Sequence, residues 1–280
     1  MTFCRAASAG IPAMAIAAVV LFSFGGGAPP RFGDPLPGLP RDLLARFQAG
    51  KQAFETAIDV PGGLGPVFND TSCVNCHNQA ATGGGSDRLE TRFGRVTNGV
   101  FDPLTALGGQ LIQERGIGGP FQPGNVFFVG EVVPPQANVQ AQRRTTPLFG
   151  LGLVDAVPDA TLQALAQLEQ TSTPDTAGRV NVVLDVPSAQ QRVGRFGWKC
   201  QIATLLDFNG NAFNNEMGVT TPFFHVENAP QGDAVLLAAN PARTNPNQLD
   251  NTMVEAFTDF NTMLAPPPQL ALTRGAPASC

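Results

Sequence analysis

The amino-acid sequence predicts a mainly helical fold in which long irregular loops and a few short strands join the helices. Apolar residues recur at helical spacing in several segments, the first of which runs from about Arg41 to Ile58. The 280 residues include 31 glycines and 25 prolines, which is high for a regular helical bundle and indicates long loops. Two short apolar runs, Val126–Val129 and Val180–Val186, are typical of strands.

Three more helices are predicted downstream. One begins at Pro158–Asp159 and carries leucines at helical spacing, a second covers residues 193–213, and a third covers residues 248–264. Residues 79–125 have weak periodicity and many glycines, so we expect a loop region there with one short hairpin. No internal repeat is visible.

The first 28 residues have the composition of an export signal. Arg5 supplies a positive charge, residues 11–24 form an apolar stretch, and Gly25–Ala28 provide small residues for cleavage. We therefore expect residues 1–28 to be a signal peptide and the mature chain to be periplasmic. The apolar stretch is short for a bilayer span, and a retained N-terminal membrane anchor is the alternative.

Charge and cysteine content narrow the possible partners. The net formal charge is −5 at pH 7, whereas proteins that bind nucleic acids need a basic face, so no nucleic-acid partner is expected.

An exported chain usually pairs its cysteines, yet Cys4 leaves with the signal and the remaining positions give no even disulfide framework. Cys73 and Cys76 therefore need another use. The cysteines stand at positions 4, 73, 76, 200 and 280.

Cys73, Cys76 and His77 form a Cys-x-x-Cys-His motif. Two thiols three positions apart match the two vinyl groups on one edge of a porphyrin, and the adjacent histidine then ligates the iron. The motif predicts one covalently bound haem c, with His77 neutral, bound through Nε2 and held at Nδ1 by a backbone carbonyl. The alternatives are a reduced redox pair and half of a zinc site, for which Cys200 and His225 are the remaining distant candidates.

The second axial position of the iron is open to three interpretations. Met217, in a predicted loop, would raise the potential and suit electron transfer, although a methionine that fills a gap in the core is the alternative. His225 is the only other histidine, and a core histidine is the alternative there. An empty position would permit peroxide chemistry.

Four stretches, in order, resemble the di-haem oxidoreductase family, which is often labelled thiol oxidoreductase and is related to the di-haem peroxidases. The resemblance implies a cytochrome c-like helical domain, here residues 29–265, elaborated by long loops. It also implies a second haem domain downstream, which we expect this chain to lack, with residues 266–280 forming a linker or the start of that domain. The matching stretches are Gly63–Asn69 running into Cys73–His77, Arg144–Leu153, Gly194–Lys199 and Asn215–Thr220.

Some further residues are candidates for the haem surroundings. The resemblance implies that Trp198 relays electrons between haems, with a large core anchor as the alternative. Arg195 would share a helix face with Trp198 and could bind a haem propionate, with an ordinary surface arginine as the alternative. Thr146–Leu148 is similar to a segment that lines the haem pocket in the peroxidases. Gly83–Gly85 would let the backbone pass close to the haem edge, unless it is a flexible loop.

With one haem motif and no visible catalytic set, electron transfer with a redox partner protein or a small-molecule donor or acceptor is the favoured function. The alternative is a peroxidase- or thiol-oxidoreductase-type enzyme acting on a small molecule, and whether the chain is an enzyme stays open. Peroxide cleavage would need a distal acid or base, for which His225, Glu216 and Glu227 are candidates without support from spacing. A haem-bearing fragment with no independent role is the third possibility.

Overall fold

The computed structural model describes residues 29–109, 111–241 and 250–268. Helix accounts for 31% and strand for 18% of it, so the fold is an α/β mixture and the prediction of a mainly helical, cytochrome c-like fold is wrong. The physical reason is that segments predicted as irregular loops pair with distant segments, which local periodicity does not reveal. The predicted signal peptide and residues 269–280 lie outside the described residues.

The described part of the chain contains six helices and nine strands. The helices are α1 Arg41–Glu55, α2 Leu151–Asp155, α3 Asp159–Ser172, α4 Leu205–Met217, α5 Ala234–Leu237 and α6 Thr252–Met263. The strands are β1 Val67–Phe68, β2 Leu89–Thr97, β3 Val100–Asp102, β4 Arg115–Gly116, β5 Gly118–Phe121, β6 Val126–Phe128, β7 Val139–Arg144, β8 Val182–Asp185 and β9 Gln190–Val193. They form small antiparallel sheets in the orders β1–β4, β3–β2–β7, β5–β6 and β8–β9.

The main core lies where α1, α4 and α6 pack together. Phe54 of α1 meets Phe257 and Phe260 of α6, with ring centroids 6.0 Å and 5.0 Å apart. The two helices cross closely at Gly50, where a Cβ atom would lie 2.2 Å from the carbonyl oxygen of Ala256. The crossing therefore requires glycine, and it sets the position of the chain that follows α1.

Two of the predicted helices are confirmed closely. Helix α1 begins at Arg41 as expected but ends at Glu55, three residues before Ile58. Helix α6 buries Val254 and Phe257, and Leu264 is buried just after its end, as the periodicity predicted. The strands predicted near Val126 and Val180 are also present as β6 and β8.

The helix predicted over residues 193–213 is wrong in its first half. Strand β9 ends at Val193, Phe196 bridges to Ile202, and α4 begins only at Leu205. Gly197 has a φ of +79°, a left-handed conformation that breaks helical periodicity. The helix begins where it does because the Thr204 hydroxyl accepts a 3.2 Å hydrogen bond from the backbone N–H of Asp207.

Residues 79–125, predicted as loops with one hairpin, contain more strand than expected. Strands β2 and β3 form the hairpin, but β2 also pairs with β7, so that Glu90 stands opposite Arg143. Helix α3 is present as predicted, although it buries no residue and leaves Leu168 61% exposed. Among the described residues, no helix is both long enough and apolar enough to cross a membrane.

Candidate functional site

The Cys-x-x-Cys-His motif lies on a single tight turn after α1. Cys73–Asn75 form one turn of 3₁₀-helix, and the backbone N–H groups of Cys76 and His77 both donate to the carbonyl oxygen of Cys73, at 3.2 Å and 3.0 Å. Side chains three positions apart eclipse each other on such a turn, so Cys73 and Cys76 share one side. Both are half-buried free thiols.

A buried carboxylate holds this turn in place. Asp70 accepts a 2.6 Å hydrogen bond from Asn75 Nδ2, within the motif, and a 2.8 Å bond from the backbone N–H of Thr71. It is also ion-paired with Arg88. Burial opposes ionisation of Asp70, but the bonds from Asn75, Thr71 and Arg88 outweigh it, and the pKa of Asp70 lies below its ordinary value. Sequence reasoning missed this pair, because Asp70 and Arg88 are distant in the chain.

His77 has the orientation that an iron ligand needs. Its Nδ1 lies 3.0 Å from the carbonyl oxygen of Gly84, which can only accept, so Nδ1 carries the proton and donates. Burial lowers the pKa of His77, which keeps the imidazole neutral with a lone pair on Nε2. The backbone carbonyl predicted from the sequence is therefore that of Gly84. Phe54 of α1 packs beside the imidazole, with ring centroids 6.1 Å apart.

Close backbone packing requires two of the three glycines after the motif, Gly84 and Gly85. The N–H of Gly83 donates to the carbonyl oxygen of His77 at 2.9 Å. A Cβ atom on Gly84 would lie 1.8 Å from the carbonyl oxygen of Gln79, and one on Gly85 would lie 2.8 Å from that of Thr145. The loop is thus packed tightly against the motif, and its approach to a haem edge stays a prediction.

Replacement of Gly84 by alanine is expected to destabilise the folded protein by about 3 kcal/mol, the upper end of the usual cost of overpacking. The added Cβ would collide with the Gln79 carbonyl oxygen, so residue 84, whose own carbonyl orients His77, must shift. Urea unfolding of the variant measures this loss. Gly178→Ala is the control, because its Cβ would meet only the end of the Glu169 side chain at 3.1 Å. Equal stabilities for the two variants would contradict the tight packing.

The segment Thr145–Leu148 packs against the Gly83–Gly85 loop. The N–H of Leu148 donates to the carbonyl oxygen of Gly83 at 2.8 Å, and the backbone of Thr146 faces the imidazole of His77. Thr146–Leu148, which the family resemblance placed in the haem pocket, is therefore beside the candidate ligand.

The two thiols do not have the properties of a catalytic redox pair. Burial raises the pKa of Cys73 to about 12 and that of Cys76 to about 11. A catalytic dithiol needs a lowered pKa so that one sulfur is a thiolate near neutral pH. For the zinc alternative, the described residues contain no cluster of three or more His, Cys, Asp or Glu side chains that could hold a metal ion.

A pair of carboxyl groups lies near the thiols. Glu216 accepts a 2.6 Å hydrogen bond from Asn69 Nδ2, and Glu90 is held by Arg92 at 2.9 Å. Burial and the neighbouring charge of Glu90 raise the pKa of Glu216 well above its ordinary value. Glu216 can therefore hold a proton close to the Cys-x-x-Cys turn, which makes it the best placed of the acid or base candidates.

Met217 is buried, with 3% exposure, in the core cluster against which Cys73 also packs. It is the last residue of α4 and not part of a loop as predicted, and Gly218 ends the helix in a left-handed conformation. The N–H of Gly65 donates to the carbonyl oxygen of Met217 at 2.9 Å, which fastens α4 to the segment before the motif. Met263 is buried in the same core.

The other two acid or base candidates, His225 and Glu227, differ in their exposure to solvent. His225 is exposed, so the core-histidine alternative is wrong. Glu227 is buried, and one of its carboxylate oxygens has no hydrogen-bond partner. Burial raises the pKa of Glu227 to about 8.

Arg195 and Trp198 occupy unexpected environments. The Arg195 side chain is 1% exposed and donates to Asp159 and to the carbonyl oxygen of Val157, both at 2.5 Å, so it is not a surface arginine. Further bonds to chain carbonyls use its other terminal nitrogen, which leaves little for a propionate. Trp198 is 59% exposed, so the core-anchor alternative is wrong. Neither residue is on a helix, and the shared-face argument fails.

Comparison with known proteins gives one match. Residues 135–247 match the family described as di-haem oxidoreductase, putative peroxidase, which is the family that the sequence resemblance indicated. The matched segment covers about two-fifths of the chain and includes Met217 but not Cys73–His77. Searches of curated proteins and of solved structures find no match.

Proposed function

We propose that this chain, a member of the di-haem oxidoreductase family, is a c-type haem protein that transfers electrons in the periplasm. One haem would be held covalently by Cys73 and Cys76 and ligated by His77, within a domain of residues 29–265 that residues 1–28 export. The observation that carries the proposal is the orientation of His77, whose Nδ1 lies 3.0 Å from the Gly84 carbonyl oxygen, so that Nε2 is the nitrogen that would ligate the iron.

The thiols fit thioether formation better than any other use. In the addition, the S–H of each cysteine adds across a vinyl group, so that sulfur bonds to one vinyl carbon and the hydrogen goes to the other. No oxidant or reductant is consumed. The tight Cys73–Asn75 turn, which Asp70 holds through Asn75, places the two cysteines on one side, from which they would hold the haem covalently. When bound, haem supplies a one-electron redox couple.

Met217 is the sixth ligand in this proposal. Its burial in the core cluster against which Cys73 also packs supports the assignment, and methionine with histidine is an axial pair of electron-transfer cytochromes. The Gly65 hydrogen bond to its backbone would hold α4 at a fixed distance from the motif. His225 is exposed and on a loop, which makes it the weaker candidate.

A second function has specific support from the pair Glu216 and Glu90. Reduction of hydrogen peroxide to two waters takes two electrons and two protons, and a carboxyl with a raised pKa beside the haem motif could deliver a proton. The family description also includes peroxidase activity. A single haem supplies one electron at a time, which is why electron transfer is preferred for this chain.

The test is to express the chain with residues 1–28 and a cytochrome c maturation system. We expect haem that survives denaturing electrophoresis, exchange of one electron per chain with a redox dye, and slow turnover of peroxide. Stoichiometric zinc without haem would disprove the proposal. Fast peroxide turnover by the chain alone would favour the enzyme instead.

A further inference from the structure

The chain's only tryptophan lies on an open surface beside several cations. Trp198 is 59% exposed, and the guanidinium of Arg143 stacks over its ring at 5.3 Å from the centroid. Lys199 follows it, and Asn181 Nδ2 donates to the carbonyl oxygen of Lys199 at 3.3 Å. The exposed Arg179 precedes Asn181 by two residues and lines one cavity with Asn181 and Cys200. We call Arg143, Arg179, Trp198 and Lys199 the Trp198 face.

The cations of the Trp198 face have no carboxylate partners within the described residues. Arginines elsewhere, such as Arg88 and Arg46, form ion pairs with aspartates. None of the ion pairs in the described part of the chain includes Arg143, Arg179 or Lys199. On a chain whose net charge is −5, these three cations are therefore unpaired among the described residues, and the carboxylates beside them are Glu90, opposite Arg143, and Glu169, which lines one cavity with Arg179.

Apolar surface continues the face toward α3. Leu165 and Leu168 of α3 and Val182 of β8 are more than half exposed. An open cavity of about 180 Å³ lies between α3 and the β8–β9 hairpin, and Arg179 and Cys200 line it. Exposed aromatic and arginine side chains next to apolar surface are the composition of protein-binding sites, where tryptophan and arginine contribute most of the binding energy.

A short piece of chain joins the Trp198 face to the haem motif. Arg143 stands opposite Glu90 across the β2–β7 pair, and Glu90 neighbours Glu216 beside the thiols. Three residues beyond Arg143, Thr146 faces His77. Three residues of extended chain span at most about 11 Å, so the backbone of Arg143, whose guanidinium stacks on the ring, lies within that distance of the Thr146 backbone beside His77.

We infer that the Trp198 face binds an acidic redox protein and is the place where an electron enters or leaves the chain. The inference rests on the proposed function. One electron passes between the two redox centres, and no bond forms or breaks. A partner with carboxylates around its own redox centre complements Arg143, Arg179 and Lys199, and opposite charges both orient such a pair and speed its encounter.

The test measures binding of the haem-loaded chain to an acidic, plastocyanin-type cupredoxin by isothermal titration calorimetry. For the double variant Arg143→Glu, Lys199→Glu, we expect Kd to rise at least about tenfold at low ionic strength, because two attractive charges become repulsive. Added salt should weaken binding of the unmodified chain. The matched control is Arg31→Glu, Arg41→Glu, which makes the same charge change at two exposed cations outside the face and should leave Kd within about twofold.

Several outcomes would overturn the inference. Equal losses in the two double variants would show that net charge alone matters. Equally tight binding of a basic cytochrome c, or binding of anionic phospholipid vesicles in place of the cupredoxin, would exclude an acidic protein as the occupant. The same samples report on the proposed function separately, through haem content and reduction by a dye. A chain that holds haem and accepts dye electrons but does not bind the cupredoxin overturns the docking face alone.

Discussion

A chain in which Cys73 and Cys76 are both replaced by alanine is expected to lose all haem that survives denaturing electrophoresis. The two thioethers would be the only covalent links between haem and chain, and alanine has no sulfur to form them. Haem staining of the denatured protein measures the loss. Haem held only by His77 would dissociate once the chain unfolds.

The matched control for the double variant is Cys200→Ala. Cys200 is an exposed free cysteine outside the motif, so its loss should leave covalent haem unchanged. Single replacement of Cys73 or Cys76 should leave one thioether and therefore some covalent haem. Covalent haem in the double variant, or its loss in the Cys200 variant, would contradict the assignment of the attachment site.

Local pattern was enough to predict the helices that build the core. Helices α1 and α6 each have apolar residues at helical spacing, and their buried faces follow that spacing. The sheets were missed because β2 finds its second partner, β7, some fifty residues later, and nothing in either segment specifies the other. Asn98–Gly99 form the turn of the β2–β3 hairpin, with φ of +52° and +78°. This Asn-Gly pair is the one local signal that could have located that hairpin.

The candidate site was predictable where covalent chemistry fixes the spacing. Cys73, Cys76 and His77 follow from the motif, and a carbonyl partner for Nδ1 follows from how histidine binds metals. The supporting charges were not predictable, because Asp70 and Arg88 or Glu90 and Glu216 meet only after folding. Residues of the same type also differ in burial in ways that the sequence does not reveal. Arg195 is enclosed, whereas Arg143 stacks on the exposed ring of Trp198.

The buried carboxyl groups predict a dependence of stability on pH. Burial raises the pKa of Glu227 to about 8 and that of Asp207 to about 6, above the values of unfolded chains. Between the unfolded pKa of each carboxyl, about 4, and its raised folded pKa, the folded state binds more protons than the unfolded state. The free energy of unfolding should therefore fall as pH rises from about 4 to about 8. Glu227→Gln, which cannot ionise, should remove most of the fall above pH 6. Urea unfolding across that range measures both, and equal slopes would contradict a buried carboxyl at Glu227.

Replacement of Met217 by alanine is expected to abolish the thioether-to-iron charge-transfer band near the red end of the ferric spectrum. The reduction potential should also fall by on the order of 100 mV, a fraction of the roughly 0.8 V that axial ligands span, because a thioether favours ferrous iron. Spectroscopy and a redox titration of the haem-loaded chain measure the two effects.

Met217→Ala removes a buried side chain and therefore also destabilises the fold, and Met263→Ala is the control for that effect. Met217 and Met263 are both buried in the core around α4 and α6, at 3% and 6% exposure, so each alanine should cost about 2 to 5 kcal/mol of stability. Only Met217→Ala should alter the band and the potential. If both variants lose stability and both keep the band, Met217 is a packing residue. The sixth ligand must then be sought at His225, by the same spectra of His225→Ala.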